Sequence, residues 1–146
     1  MPYEKQRQHG KALYIVQWGD PHDLTPEGIR EGCPSVPGVY ILSHGSIVHY
    51  AGNTKTRTVK RRIRDHLPEN EKDQCNLKYF DEYGEGVWFV CASMNRSPQD
   101  RKDVEYWLIR HFSPECNDVV DVSSGRYSEI CVNPPGSSKL KCYEVE

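Results

Sequence analysis

At 146 residues the chain has the length of one domain with one core, and 36% hydrophobic against 27% charged residues is an ordinary globular balance. Three Trp and nine Tyr exclude a wholly disordered chain, and no run approaches the roughly 20 apolar residues of a membrane span. The formal net charge of -2 excludes a uniformly basic surface, so any role on nucleic acid must rest on a local cluster of cations.

The first residues, Met1-Pro2-Tyr3-Glu4-Lys5-Gln6-Arg7, are followed by no apolar run and do not read as a secretory signal, so a cytoplasmic location is expected. Residues 1–10 are polar and expected to fray. Residues 12–18 read as a strand ended by Gly19-Asp20-Pro21. A short helix follows, with Thr25 as N-cap and Pro26 as its first residue, stopped by Gly32 and Pro34. Residues 39–42 and 47–52 are strands joined by a turn at 43–46, a β-hairpin. From 54 to 67 the pattern is helical, with Val59, Ile63 and Leu67 as a narrow apolar stripe and Pro68 as the stop. The polar, acidic stretch from 68 to 86 has room for another short helix. Residues 87–92 read as a central strand buried on both faces. Ser97 and Pro98 start a helix that runs to about residue 112 and stops at Ser113-Pro114. The tail from 123 is rich in Gly, Ser and Pro, with short strands expected around Ile130 and Tyr143.

This order predicts an α+β fold, a small, mostly antiparallel sheet with a three-stranded core flanked by α-helices. Residues 36–118 form the expected central domain. Residues 1–35 are an N-terminal extension packing on it, and 119–146 a C-terminal one. Six cysteines, Cys33, Cys75, Cys91, Cys116, Cys131 and Cys142, lie far apart with no CxxC pair. They are expected to be reduced thiols rather than zinc ligands or disulfides.

Chemistry concentrates in four places. Lys55, Arg57, Lys60, Arg61, Arg62 and Arg64 fall within ten positions against one acid, Asp65, a field suited to phosphate. Arg62 and His66 are four apart and share a helix face at the rim of the apolar stripe. Glu105, Leu108, Ile109 and Phe112 recur at the spacing of a buried face, which sets a carboxylate among apolar residues; an Arg or a divalent metal would each balance it. Tyr40 and Tyr50 stand ten apart across the hairpin, on adjacent strands, as packing or as chemistry.

Pro37-Gly38-Val39-Tyr40 and Tyr50-Ala51-Gly52 resemble the two signature tripeptides of the GIY-YIG nuclease family. Arg62 with His66, then Glu105-Tyr106-Trp107-Leu108-Ile109-Arg110, then Pro114 and Asn117 follow in the family's order, so that the resemblance spans about residues 36–118. Val39 and Ala51 replace isoleucines, and Asn53 stands where Ser or Lys is common. The resemblance implies a metal-dependent endonuclease hydrolysing phosphodiesters of nucleic acid, DNA favoured over RNA. Glu105 would bind the metal, Mg²⁺ with Mn²⁺ as a substitute, and Arg62 the scissile phosphate. Tyr50 would be the general base, its phenol lowered from about 10 by Arg62 and the metal, and Tyr40 its phosphate-orienting partner. His66 would assist proton transfer or bind phosphate, and Asn117 would fix the loop after the helix. Lys55, Arg57, Lys60, Arg61 and Arg64 would contact the nucleic acid. A single site cuts one strand, so double-strand cleavage implies a homodimer; a specificity-giving protein partner is the other arrangement. The competing readings are a non-cutting nucleic-acid-binding module of the same fold and an unrelated interaction domain.

Overall fold

Among the described residues there are eight strands and four α-helices: β1 (Tyr3–Gln8), β2 (Lys11–Val16), β3 (His22–Asp23), α1 (Pro26–Gly32), β4 (Gly38–His44), β5 (Ile47–Asn53), α2 (Val59–Arg64), α3 (Gln74–Tyr83), β6 (Val87–Ser93), α4 (Pro98–Phe112), β7 (Glu129–Val132) and β8 (Lys141–Glu144), with a 3-10 turn at Gly84–Gly86. The computed structural model describes residues 3–8, 10–95, 97–117 and 123–145. The expected boundary between residues 118 and 119 lies outside them. No helix among the described residues is long and apolar enough to cross a membrane.

The fold is α+β, with an antiparallel central sheet in the order β3-β6-β4-β5. The expected three-stranded core is present, and β3 adds a two-residue fourth strand on β6 that no local pattern announces. One face of this sheet, with Tyr40, Leu42 and Phe89, packs under α1, α2 and α3. The other face, with Val39, Ile41 and Ala51, packs on Val104, Trp107 and Leu108 of α4. A second sheet, β1-β2-β7-β8, closes over α4 through Tyr14, Ile130 and Val132.

Local signals were realised where they were strongest. Thr25 and Ser97 cap α1 and α4 with side-chain oxygens that accept from Gly28 and Asp100 N–H, and proline opens each helix. The hairpin turn is tighter than expected, because β4 runs on to His44 and Gly45 (φ +55°) begins a two-residue connection.

Four expectations need correction. Residues 3–8 are not frayed but pair antiparallel with β2 through six register positions. α2 does not begin at 54: Thr58 is its N-cap, its hydroxyl accepting from Arg61 N–H, and residues 54–57 form a turn with Lys55 at φ +55°. Nor does it reach 67, since the N–H groups of His66 and Leu67 bond to carbonyls three residues back, in tight turns. The cysteines are not six thiols. Cys75 is bonded to Cys116 and Cys131 to Cys142, while Cys33 and Cys91 are free and buried. These partners are 41 and 11 residues apart, brought together by the docking of α3 and by the β7/β8 register.

Polar anchors join the second sheet to the rest. Tyr14 Oη lies 3.0 Å from both Asp100 Oδ1 and Asp103 Oδ2, and the Arg126 guanidinium pairs with the same two carboxylates. Asn133 closes the end of β2: its Oδ1 accepts from Val16 N–H (2.6 Å) and its amide donates to Val16 C=O (2.9 Å). Both residues are buried, so Asn133→Ala strands a donor and an acceptor. The expected result is a loss of about 1–3 kcal/mol in stability. Urea unfolding would read it as a lower midpoint at unchanged slope.

Candidate active site

A cleft of about 830 Å³ opens where β5, the turn after it, α2 and α4 meet. Its walls include Tyr50, Lys55, Arg57, Arg62, Lys102 and Glu105. A smaller cleft of about 340 Å³ adjoins it, sharing Tyr50 and Arg62 and reaching His66 and Glu71.

The hairpin register sets the tyrosines. Tyr40 pairs with Gly52 and Tyr50 with Leu42, so the phenols share one face of the sheet with ring centroids 6.2 Å apart. Tyr40 is wholly buried and lies outside the main cleft, whereas Tyr50 forms part of its wall. Gly52 lets the rings fit: a Cβ there would lie 2.6 Å from Tyr40 Oη and 2.7 Å from its Cζ. Burial pushes both phenols above their ordinary range and outweighs the pull of Arg62. Arg62 pulls the Tyr50 phenol down as expected, and burial outweighs that pull.

Arg62 projects into the cleft, its contact with Asp65 loose at 3.4 Å; Arg57 holds the same carboxylate at 2.8 Å. Arg62 and His66 do not share a helix face at the rim of the apolar stripe, because α2 ends at Arg64, although both line the smaller cleft. The chain turns tightly after Arg64, and His66 is buried, its Nε2 2.8 Å from Tyr40 Oη and its Nδ1 2.5 Å from Glu71 Oε2.

Glu105 is half-buried rather than central to the apolar face of α4, whose buried side carries Val104, Trp107 and Leu108 together with Arg101 and Asp103. α4 lies between the two sheets, and this turns Glu105 and Ile109 to the cleft. Asn117, Thr54 and Thr56 add oxygen atoms to the same walls. Asp73 also lines the cleft, but its Oδ1 is taken up by Cys75 and Asn76 N–H at the start of α3. Glu105 with neutral oxygens suits a hard cation that keeps most of its water, so Mg²⁺ fits this donor set. The group of three close-set His, Cys, Asp or Glu ligand atoms among the described residues lies elsewhere, at Glu129, Cys131 and Cys142, where the two sulfurs are bonded to each other.

Of the expected nucleic-acid contacts, Lys55 and Arg57 line the cleft; Lys60, Arg61 and Arg64 do not. Lys60 and Arg64 lie toward Cys33 at the end of α1. The turn carrying Lys55 is pinned from two sides. Thr54 Oγ1 accepts from Gly38 N–H at 3.0 Å, and Arg101 donates to the carbonyls of Lys55 (2.5 Å) and Met94 (2.7 Å). A non-glycine residue at positive φ is costly and persists where its surroundings over-determine it. Asn117 is bound as expected of a loop anchor: its amide spans Ala51, accepting from N–H at 2.9 Å and donating to C=O at 2.8 Å.

Two further residues belong to this region. Lys102 precedes Glu105 by three positions on α4 and reaches the same cleft, a placement that helical spacing could have revealed. Glu71 sits in a polar loop that carries no signal of its role.

No family model matches the chain. It is 30% identical over 95 residues to UvrABC system protein C of Hydrogenobaculum sp. (strain Y04AAS1), covering 65% of this chain and 16% of that protein. This chain therefore spans about a sixth of the curated relative's length. Among solved structures it is similar to the GIY-YIG N-terminal endonuclease domain of UvrC from Thermotoga maritima. A tyrosine-to-phenylalanine point mutant of that domain, bound to the catalytic divalent cation, aligns at 22% identity and TM-score 0.48, over 65% of this chain and all of that one. The magnesium-bound form aligns at 22% identity and TM-score 0.47, over 64% and 99%. In the order of its motif residues and in its likeness to UvrC over 95 residues, this chain resembles the GIY-YIG nucleases.

Proposed function

We propose that this chain is a divalent-metal-dependent endonuclease that hydrolyses phosphodiester bonds in DNA, with residues 36–118 as the nuclease unit and residues 1–35 and 119–146 as extensions of it. One observation carries the reading. Tyr50, Arg62 and Glu105 come from β5, α2 and α4 and line one cleft, alongside Lys55, Arg57 and Lys102.

The chemistry follows from these groups. Arg62 binds the scissile phosphate and offsets the charge that grows on its oxygens. Tyr50, facing the cleft, orients the attacking water and takes up its proton. Glu105 would hold Mg²⁺, or Mn²⁺ in its place, which supplies Lewis acidity and stabilises the leaving oxygen. Tyr40 acts from behind Tyr50, since it is wholly buried and outside the main cleft. The burial of His66 argues against a role in phosphate binding. Lys55 and Arg57 follow the DNA backbone within the cleft. Arg61 and Arg64, exposed on α2, would meet phosphates beyond it with Lys60. Cleavage of both strands takes a second copy of the chain, or a partner that brings specificity. In the cytoplasm, the expected place of action, the two disulfides would face a reducing thiol pool, so activity belongs to be measured with and without dithiothreitol.

The second reading is a non-cutting nucleic-acid-binding module, for which the cations Lys55, Arg57, Arg62 and Lys102 of the cleft wall would suffice. Metal-dependent cleavage excludes it.

Purified protein with supercoiled plasmid and Mg²⁺ is expected to give nicked product, lost with EDTA and in Glu105→Ala, while salt-sensitive DNA binding survives in that variant. Full cleavage by Glu105→Ala would remove the metal assignment. Gly52→Ala forces the Tyr40 ring aside. The expected fall in cleavage is on the order of 10²-fold, the scale set by misplacing a catalytic group by about 1 Å. Unchanged rates in that variant would mean that the tyrosine pair is packing only.

A further inference from the structure

The wall between the two clefts is a cluster of three rings. Tyr40 and Tyr50 lie 6.2 Å apart between centroids, Tyr40 and His66 5.5 Å, and Tyr50 and His66 5.0 Å. Tyr40 Oη meets His66 Nε2 at 2.8 Å, and His66 Nδ1 meets Glu71 Oε2 at 2.5 Å. The His66 and Glu71 side chains are only 4% and 6% exposed.

The Glu71 carboxylate is itself held in place. Asp73 N–H donates to Oε1 at 3.1 Å, and the Asn76 amide donates to Oε2 at 3.3 Å. Burial alone would push this carboxyl up, but the hydrogen bond and charge of His66, joined by the Asp73 and Asn76 donors, hold it below the usual carboxylate range. An acceptor-only carboxylate at Nδ1 demands a proton there. Whenever Nε2 carries no proton it accepts from the Tyr40 hydroxyl, 2.8 Å away.

We propose that Glu71 is a positioning residue for phosphodiester hydrolysis, fixing His66 in the tautomer whose Nε2 accepts from Tyr40, and through it the place of the Tyr40 ring behind Tyr50. This rests on the nuclease reading of the main cleft. The water oxygen bonds to phosphorus as one of its O–H bonds breaks, and the bond from phosphorus to the leaving oxygen breaks. The water proton passes to the oxygen of a deprotonated Tyr50 and from there to solvent, and the leaving oxygen is protonated from solvent. Glu71 and His66 take no proton in this step; they hold the ring against which Tyr50 packs.

Other groups surround His66. Tyr40 faces it from β4, and Tyr50 and His49 from β5. Arg62 and Asp65, from α2 and its cap, and Lys72 and Asp73, beside Glu71, line the same small cleft. Glu71 is the anion among them in direct hydrogen bond to the imidazole.

The test compares wild type, Glu71→Gln and Glu71→Asp for plasmid nicking with Mg²⁺, with Glu105→Ala as the control for the nuclease reading. In Glu71→Gln the rate falls on the order of 10²-fold or more, and Glu71→Asp recovers part of it. Independently of activity, ¹⁵N spectra of His66 in metal-free protein should place the proton on Nδ1 in wild type and redistribute it in Glu71→Gln. A Glu71→Gln variant with the wild-type rate would overturn the proposal. So would a slower Glu71→Gln that keeps the wild-type His66 tautomer, since that is the mark of a merely structural residue. Loss of nicking in wild type would instead overturn the nuclease reading, and the His66 spectra would still decide whether Glu71 sets the tautomer.

Discussion

All seven residues of β4 are buried, and the strand is paired on both sides, by β5 and by β6. That constraint shapes the rest of the molecule. Its alternation sends Val39 and Ile41 toward α4 and the second sheet, and Tyr40 and Leu42 beneath the other helices. A phenol that cannot reach water needs a partner for its hydroxyl. His66 provides one, and the imidazole in turn requires Glu71. The tight turns after α2 bring His66 inward, so a change of backbone geometry near residue 65 and the burial of one tyrosine are parts of the same arrangement. Tyr50, one strand over, remains in contact with these rings while forming the wall of the main cleft.

Charge is organised by place rather than by sum. A net -2 conceals a cleft whose wall carries Lys55, Arg57, Arg62 and Lys102. Asp65 tempers two of these, binding Arg57 closely and Arg62 loosely. The loose contact leaves Arg62 with donors to offer a phosphate, while the closer one restrains Arg57. The turn that presents Lys55 is fastened by the buried Arg101, so one cation spends its donors on carbonyl oxygens to hold another in position.

What could be read from the sequence was what local rules govern. The hairpin, the caps at Thr25 and Ser97, and the apolar run of β6 depend on neighbours a few residues away. Tyr50, Arg62 and Glu105 were legible through their order along the chain, and they meet in one cleft. Much of what escaped was decided at long range. β3 is a strand because of β6 beside it, and the parallel pairing of β2 with β7 joins segments more than a hundred residues apart. β1 pairs locally with β2, but its polar residues carry no apolar alternation. The Cys75–Cys116 disulfide depends on the docking of α3, and Cys131–Cys142 on the register of two neighbouring strands. Residues 54–57 were misjudged because a run of cations reads alike on a helix and on a turn, and the capping hydroxyl of Thr58 decided between them. Glu71 was invisible because nothing in an acidic loop singles out the one carboxylate that will face an imidazole.

β5 is an edge strand, and edge strands expose unpaired N–H and C=O groups that invite another chain to bind. Here residues 116 and 117 imitate a fifth strand. Cys116 N–H donates to His49 C=O, and the Asn117 side chain spans both polar groups of Ala51, between Tyr50 and Gly52. The contact that keeps the loop against the cleft is therefore also a guard against sheet-to-sheet aggregation. Loosening it would expose a sticky edge and unsettle the tyrosine wall at once, so solubility and the integrity of the cleft are linked through a single carboxamide.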